Sequence, residues 1–405
     1  MATVVLVYSG GLDTSVCIPL MREEYGFDRV VTVTVDVGQP RADLAQAEER
    51  AKRLGTEHHT VDARAEFVAG YCWPAVQANA DYQGYPLSTA IARPLIALKA
   101  VEIALQVGAT AYAHGCTGKG NDQFRLEYVM RTLTPDLQVI APMREGRLLP
   151  NGQRETWTRS EEVDFAQARG LDVAQTRTNI YSVDENVWGR SIEGGRLEEP
   201  DYTPPEDIFQ WTRSLAETPD PAVVRIGFVS GVPVALDGVT LEPLALVEQL
   251  NILAGTHGIG RVDVMEDRML GLKARENYEC PAAVVLILAH KALEALVCTQ
   301  AEQKFKALVD REWGELAYKG LWFDPLKDDL EAFIGAIQPR VTGTVMVRLA
   351  KGAATVCGRS SAWALYNEDL VSFDTKTFDQ SESTGIVKAH GMQSRLYWNL
   401  KQGQS

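Results

Sequence analysis

Apolar positions change their spacing along this chain, and the change divides it. Residues 3–8 (TVVLVY) and 30–37 (VVTVTVDV) are β-branched runs of strand length. Residues 41–55 (RADLAQAEERAKRLG) repeat at helical spacing, with Leu44, Ala47, Ala51 and Leu54 on one face and Gly55 as the stop. The pattern predicts a helix over 93–108 with Pro94 in its first turn, then strands over 110–115 and 137–142. Strand and helix alternating at this interval imply α/β architecture, a doubly wound parallel sheet covered on both faces. Ligands on such sheets sit at the carboxyl ends of the strands. Ser9, Gly10 and Gly11 fall at one such end, and His114, Gly115, Cys116 and Thr117 at another.

Beyond residue 172 the texture becomes α+β. Residues 222–229 and 232–236 predict a hairpin about Gly231, and 342–350 with 353–359 a second about Lys351 and Gly352. Between them come helices over 242–254, 281–298 and 301–319 and a strand over 261–266. The polar and aromatic tail has no core of its own and is expected to dock on another subunit. The division expected is 1–171, 172–360 and an oligomerisation tail over 361–405.

Composition narrows the class. With 405 residues, 45% hydrophobic and 23% charged, the chain suits a soluble protein with a sizeable core. A formal net charge of -14 argues against a general nucleic-acid or anionic-membrane surface. The six cysteines include no C-x-x-C pair, which disfavours metal ribbons and suits a reducing cytoplasm. No secretory signal pattern opens the chain. The apolar stretch 281–298 carries His290, Lys291 and Glu294, so it reads as a buried helix and not a membrane span.

The chemistry begins at VVLVYSGGLDTSV, residues 4–16. Two glycines let a ligand approach the backbone, and a helix starting near Leu12 offers unpaired N–H groups to an anion. Ser9, Thr14 and Ser15 add hydroxyls. Asp13 would repel phosphate unless Mg²⁺ lay between them. The loop is not G-x-x-x-x-G-K-[ST], which disfavours a γ-phosphate-transferring P-loop. Pro19, inside the following helix, is expected to kink it near Ser15.

YSGGLDTS resembles the phosphate loop of the N-type ATP pyrophosphatases, which split ATP to AMP and pyrophosphate. AHGCTGKGNDQFR (113–125) is similar to a motif of the argininosuccinate synthase family. So, in order, are TVDVGQ (34–39), GYPLSTAIARPLI (84–96), YSVDENVWGRSIEGG (181–195), GIGRVDVMEDRMLGLKARENYE (258–279) and LVSFDTKTFDQ (370–380). The resemblance implies ligation of citrulline to aspartate through a citrullyl-adenylate, with ATP and Mg²⁺, in a cytoplasmic homotetramer. It implies ATP contacts from Val7, Tyr8, Ser9, Gly10, Gly11, Leu12, Asp13, Thr14 and Ser15, with Val35 by the adenine and Gly115 beside the nucleotide. Thr117, Asn121 and Asp122 would hold aspartate. Tyr85, Thr89, Asn121, Arg125, Ser182, Ser191, Glu266 and Tyr278 would hold citrulline, with Arg125 gripping its carboxylate through two parallel bonds. The resemblance further implies that Asp13, Asp122 and Arg125 lie nearest the chemistry. No all-protein metal cage is expected.

Two departures from the family pattern bear on this pocket. Ala90 stands where a citrulline-facing serine is usual, which favours Thr89 as the hydroxyl, and Ala274 and Cys280 replace hydroxyls near Tyr278. Taken alone, Glu266 and Arg268 read as an exposed strand pair, and Tyr85 and Tyr278 as core tyrosines. The rival reading is another ligase of the same ATP chemistry acting on a different carbonyl. Glutamine-using relatives would need an amidotransferase cysteine with its histidine, and thiolases paired cysteines with a basic RNA face; neither set is found.

Overall fold

The β-branched runs become neighbouring strands of one sheet. In the computed structural model, which describes residues 2–171 and 181–403, these are β1 (Thr3–Val7), β2 (Arg29–Asp36), β3 (Glu57–Asp62), β4 (Ala111–His114) and β5 (Gln138–Ile140). They lie in the order β3-β2-β1-β4-β5, and every pairing is parallel. From β1 the chain adds strands first on one side and then on the other, so the switch point lies between β1 and β4. Alternation splits the buried residues of β1 between two cores. Val5 joins Val31, Val33 and the helix Ser88–Val107, while Val4 and Leu6 join Val16, Ile18 and Leu20 of α1 (Leu12–Glu23). α2 (Arg41–Arg53) ends as its glycine dictates. Gly55 takes φ +65°, and the Thr56 N–H turns back to the Ala51 carbonyl at 3.2 Å.

One proline expectation needs correction. The helix expected from residue 93 starts at Ser88, so Pro94 lies inside it and not in its first turn. The earlier start is held by Tyr85, whose hydroxyl accepts the N–H groups of Thr89 at 2.7 Å and Ala90 at 3.3 Å. α1 contains Pro19, as its sequence implies. β3 went unread because its sequence, EHHTVD, is polar and half exposed, as an edge strand permits.

The remaining strands are antiparallel. β6 (Arg147–Leu148) and β7 (Arg154–Glu155) make a short ribbon. β8 (Ser182–Asn186) and β9 (Gly189–Glu193) pair as a hairpin. β10 (Ala222–Val229), β11 (Val232–Leu236) and β12 (Val239–Thr240) follow. β13 (Arg261–Asp267) and β14 (Lys273–Glu279) join the β8–β9 hairpin in the order β13-β14-β9-β8. β15 (Gly343–Ala350) and β16 (Ala353–Ser360) complete the order β12-β11-β10-β15-β16. The helix Pro281–Val297 is a core element: its fully buried His290 bonds Asn79 at 2.7 Å, and Lys306 pairs with its Glu294 at 3.0 Å. No helix among the described residues is long and apolar enough to cross a membrane.

The β8–β9 hairpin is fastened to the parallel sheet. The Val187 N–H donates to the Val37 carbonyl at 3.0 Å, Asn186 Nδ2 to the Ser88 carbonyl at 3.0 Å, and Trp188 Nε1 to the Pro86 carbonyl at 3.0 Å. By their contacts, Met1–Trp363 form one compact unit and Ala364–Ser405 a second. The boundary expected at residue 172 opens a segment, 172–180, that lies outside the described residues. In the second unit the helices Glu368–Val371, Ser383–His390 and Met392–Gln402 bury none of their side chains.

Candidate active site

The turn after β1 has the geometry its sequence requires. Gly10 takes φ +77°, and a Cβ there would lie 2.7 Å from the Ala47 Cβ of α2. Both conformation and space therefore demand glycine. α1 begins with no side-chain cap, so its first N–H groups remain available to an anion. Ser9 Oγ lies 3.1 Å from Thr14 Oγ1, and both residues border the loop. Ser15 is buried, and its hydroxyl meets the Tyr8 phenol at 3.0 Å. Leu12 is buried too, so only its backbone can serve the loop. Thr34 Oγ1 donates to the Tyr8 carbonyl at 2.6 Å, tying the loop to β2, where Val35 ends the apolar run in the core. Arg50 donates to the Gly10 carbonyl from behind. Gly115 packs on the same turn, since a Cβ there would lie 2.9 Å from Thr14 Cγ2 and 3.1 Å from the Thr14 nitrogen.

Asp13 faces a partner the sequence reading did not name. Arg159 Nη1 donates to Asp13 at 2.6 Å and to Glu162 at 3.0 Å. Burial, reinforced by the Asp13 charge, pushes the Glu162 carboxyl above its ordinary range.

A second cluster joins most of the other expected residues through contacts. Tyr85 stacks on Tyr278 with centroids 4.0 Å apart, and its hydroxyl meets Thr89 Oγ1 at 2.7 Å. Tyr278 lies opposite Ser191 in the sheet and donates to Glu266. Glu266 is 3% exposed, so the reading of an exposed pair with Arg268 fails. Glu266 also accepts from Tyr318 at 2.8 Å, and Tyr318 accepts from Asn121 Nδ2 at 2.8 Å. Arg125 donates through Nε to the Tyr318 carbonyl and through Nη1 to Asp122 at 2.9 Å. Two of its nitrogens are thus engaged within the protein. Gly320, at φ +76°, lets the chain pass against this residue, for a Cβ there would lie 2.5 Å from Arg125 Cα. Ser191 Oγ reaches the Asp184 carbonyl at 3.4 Å. Thr117 and Ser182 lie exposed, one on the Gly-rich loop and one at the start of β8.

Arg93 closes the set and was missed, although it lies inside a quoted motif. Its Nε donates to Asp122 at 2.8 Å and its Nη2 pairs with Asp184. Burial alone would raise the Asp122 carboxyl, but Arg93 and Arg125 hold it below its ordinary value. Arg268 bridges Glu193 at 2.8 Å and Glu276 at 2.6 Å. Burial and the Glu193 charge push the Glu276 carboxyl up. Tyr318 was passed over because it reads as one more apolar position of an amphipathic helix.

Comparison with known proteins bears directly on this arrangement. Residues 3–172 match the family model described as the arginosuccinate synthase N-terminal HUP domain, and 181–397 match its C-terminal domain. The argininosuccinate synthase of Methanococcoides burtonii is 58% identical over 394 residues, covering 97% of each chain. That of Methanocaldococcus jannaschii is 56% identical over 394 residues, again 97% of each. The chain belongs to the argininosuccinate synthase family. The HUP match covers all five strands of the parallel sheet, and the C-terminal match covers the antiparallel sheet that carries Ser191, Glu266 and Tyr278. Both sheets belong to the same compact unit, Met1–Trp363.

Proposed function

We propose that this chain joins citrulline to aspartate, consuming ATP and releasing AMP and pyrophosphate. One observation carries the reading: Gly115, at the end of β4, packs against Thr14 of the phosphate loop. The loop that leads from Gly115 to Asn121, and to the helix Asp122–Leu133 with Asp122 and Arg125, therefore leaves the sheet beside the anion site, at the switch point. A ureido oxygen is a poor leaving group, and transfer of AMP onto it makes a phosphate ester that departs. The aspartate amine then attacks the carbon so activated. This sequence asks for alignment and charge stabilisation more than for a strong nucleophile.

The phosphates lie over Gly10–Ser15 at the start of α1, with the adenine toward Val35. Thr117 and Asn121 donate to aspartate carboxylates, and Asp122 meets its ammonium. Tyr85, Thr89, Ser182, Ser191, Glu266 and Tyr278 enclose citrulline. Arg125 meets the citrulline carboxylate through the N–H groups its internal contacts leave free. The carboxylates of Asp13 and Glu162, both sharing Arg159, supply the hard oxygens that suit Mg²⁺ bound mainly by phosphate. The ion would neutralise charge on the departing pyrophosphate. The assembly is a homotetramer in the cytoplasm: Phe373 is 97% exposed and Trp398 57% exposed, apolar surface that a second copy would cover. The six cysteines are free thiols, as a reducing compartment keeps them.

Incubation with ATP, Mg²⁺, citrulline and aspartate tests the reading. Pyrophosphate should appear only when both amino acids are present, and label in the ureido oxygen should pass into AMP. ADP and phosphate as products would reject it.

A further inference from the structure

Tyr318 lies near the end of the helix Gln300–Lys319 and touches three of the expected substrate residues at once. Its hydroxyl meets Asn121 Nδ2 and Glu266 Oε2, each at 2.8 Å, and its carbonyl accepts Arg125 Nε at 2.8 Å. The ring is 1% exposed and stacks on Tyr82 at 3.6 Å, so the phenol cannot swing away.

The direction of each bond follows from what the groups can do. The single Tyr318 proton is donated to Glu266 Oε2. The oxygen of Tyr318 must then accept from Asn121, which turns the amide nitrogen toward it. The backbone N–H of Met269 can only donate, and it reaches Asn121 Oδ1 at 3.1 Å. Both contacts fix the same orientation. Asn121 Oδ1 is engaged, and one N–H of Nδ2 remains for a ligand.

We propose that Tyr318 is a specificity-determining positioning residue. It sets the Asn121 amide as a hydrogen-bond donor toward substrate, so the group received there must be an acceptor such as a carboxylate. An ammonium or an amide nitrogen at that point would meet a donor and be refused. Through its carbonyl the same residue fixes the Arg125 guanidinium, so one element orients both carboxylate-binding groups. This rests on the reading of Asn121 and Arg125 as substrate residues.

Tyr318→Phe tests it, because the variant keeps the stacked ring and removes only the hydroxyl. The expected result is a KM for citrulline and for aspartate raised about 10-fold, with the KM for ATP within about two-fold. Thermal unfolding of the variant establishes that it is folded. In an Asn121→Ala background the same change should move the KM for aspartate little further, about two-fold or less, since Tyr318 reaches aspartate through that amide, whereas the KM for citrulline can still respond through Glu266. Unaltered amino-acid KM values in the single variant would overturn the proposal. So would an equal loss for aspartate in both backgrounds, or a parallel loss for ATP. Failure of the underlying reading is recognised separately, because the unmodified protein would then release no pyrophosphate with the two amino acids.

Discussion

Asp122 shows how much a single side chain does here. Two guanidiniums, Arg93 and Arg125, hold it as a carboxylate although burial opposes the charge. Asp122→Asn keeps the size and removes the charge, leaving both arginines without their anion. The KM for aspartate should rise on the order of 10- to 100-fold, as for loss of a charged hydrogen bond, while that for ATP moves far less. Steady-state constants for all three substrates decide this, and an effect confined to ATP would remove the role. Glu127 is a second case. Burial raises its carboxyl, but His114 at 3.1 Å, Arg131 and Arg144 outweigh it and hold the value at about 2, against an ordinary 4.5. A lowered value in the folded state means a stability contribution present above the unfolded value and lost as pH falls. The midpoint of unfolding should therefore drop between pH 4.5 and about 2. In Glu127→Gln that slope should be shallower, with lower stability at neutral pH.

Elements explain what could be read and what could not. The strand runs of β1 and β2 and the start of α1 at Leu12 were legible because β-branched runs and a double glycine are local signals. The expected citrulline and aspartate residues were named through resemblance, but their connections were not legible. Arg93, Asp184 and Tyr318 come from three segments far apart in sequence, and no local pattern marks their meeting. β14 was missed because KARENYE buries four consecutive residues, Glu276–Glu279, two of them carboxylates, so no apolar alternation shows. The phosphate-loop turn also makes a prediction. Gly10→Ala forces a side chain into the left-handed region, at about 1–2 kcal/mol. It also drives a methyl into α2, adding about 1–3 kcal/mol. Chemical denaturation should report the sum, together with a higher KM for ATP. Unchanged stability would mean the turn does not need its glycine.

At the scale of the molecule, the second unit stands apart in character. Its helices bury no side chain, yet Leu396, Tyr397, Trp398 and Leu400 lie on them, each more than half exposed. Removal of residues 364–405 should leave Met1–Trp363 folded and convert the assembly to smaller species by sedimentation. A truncated chain of unchanged size would assign assembly elsewhere.

Gly320 carries a consequence for how such a chain can diverge. It carries no side chain, and no other residue fits beside the Arg125 backbone without displacing it. A lineage drifting toward another amino-acid substrate could remodel the polar wall freely, but it would have to move a helix end before position 320 opened to variation.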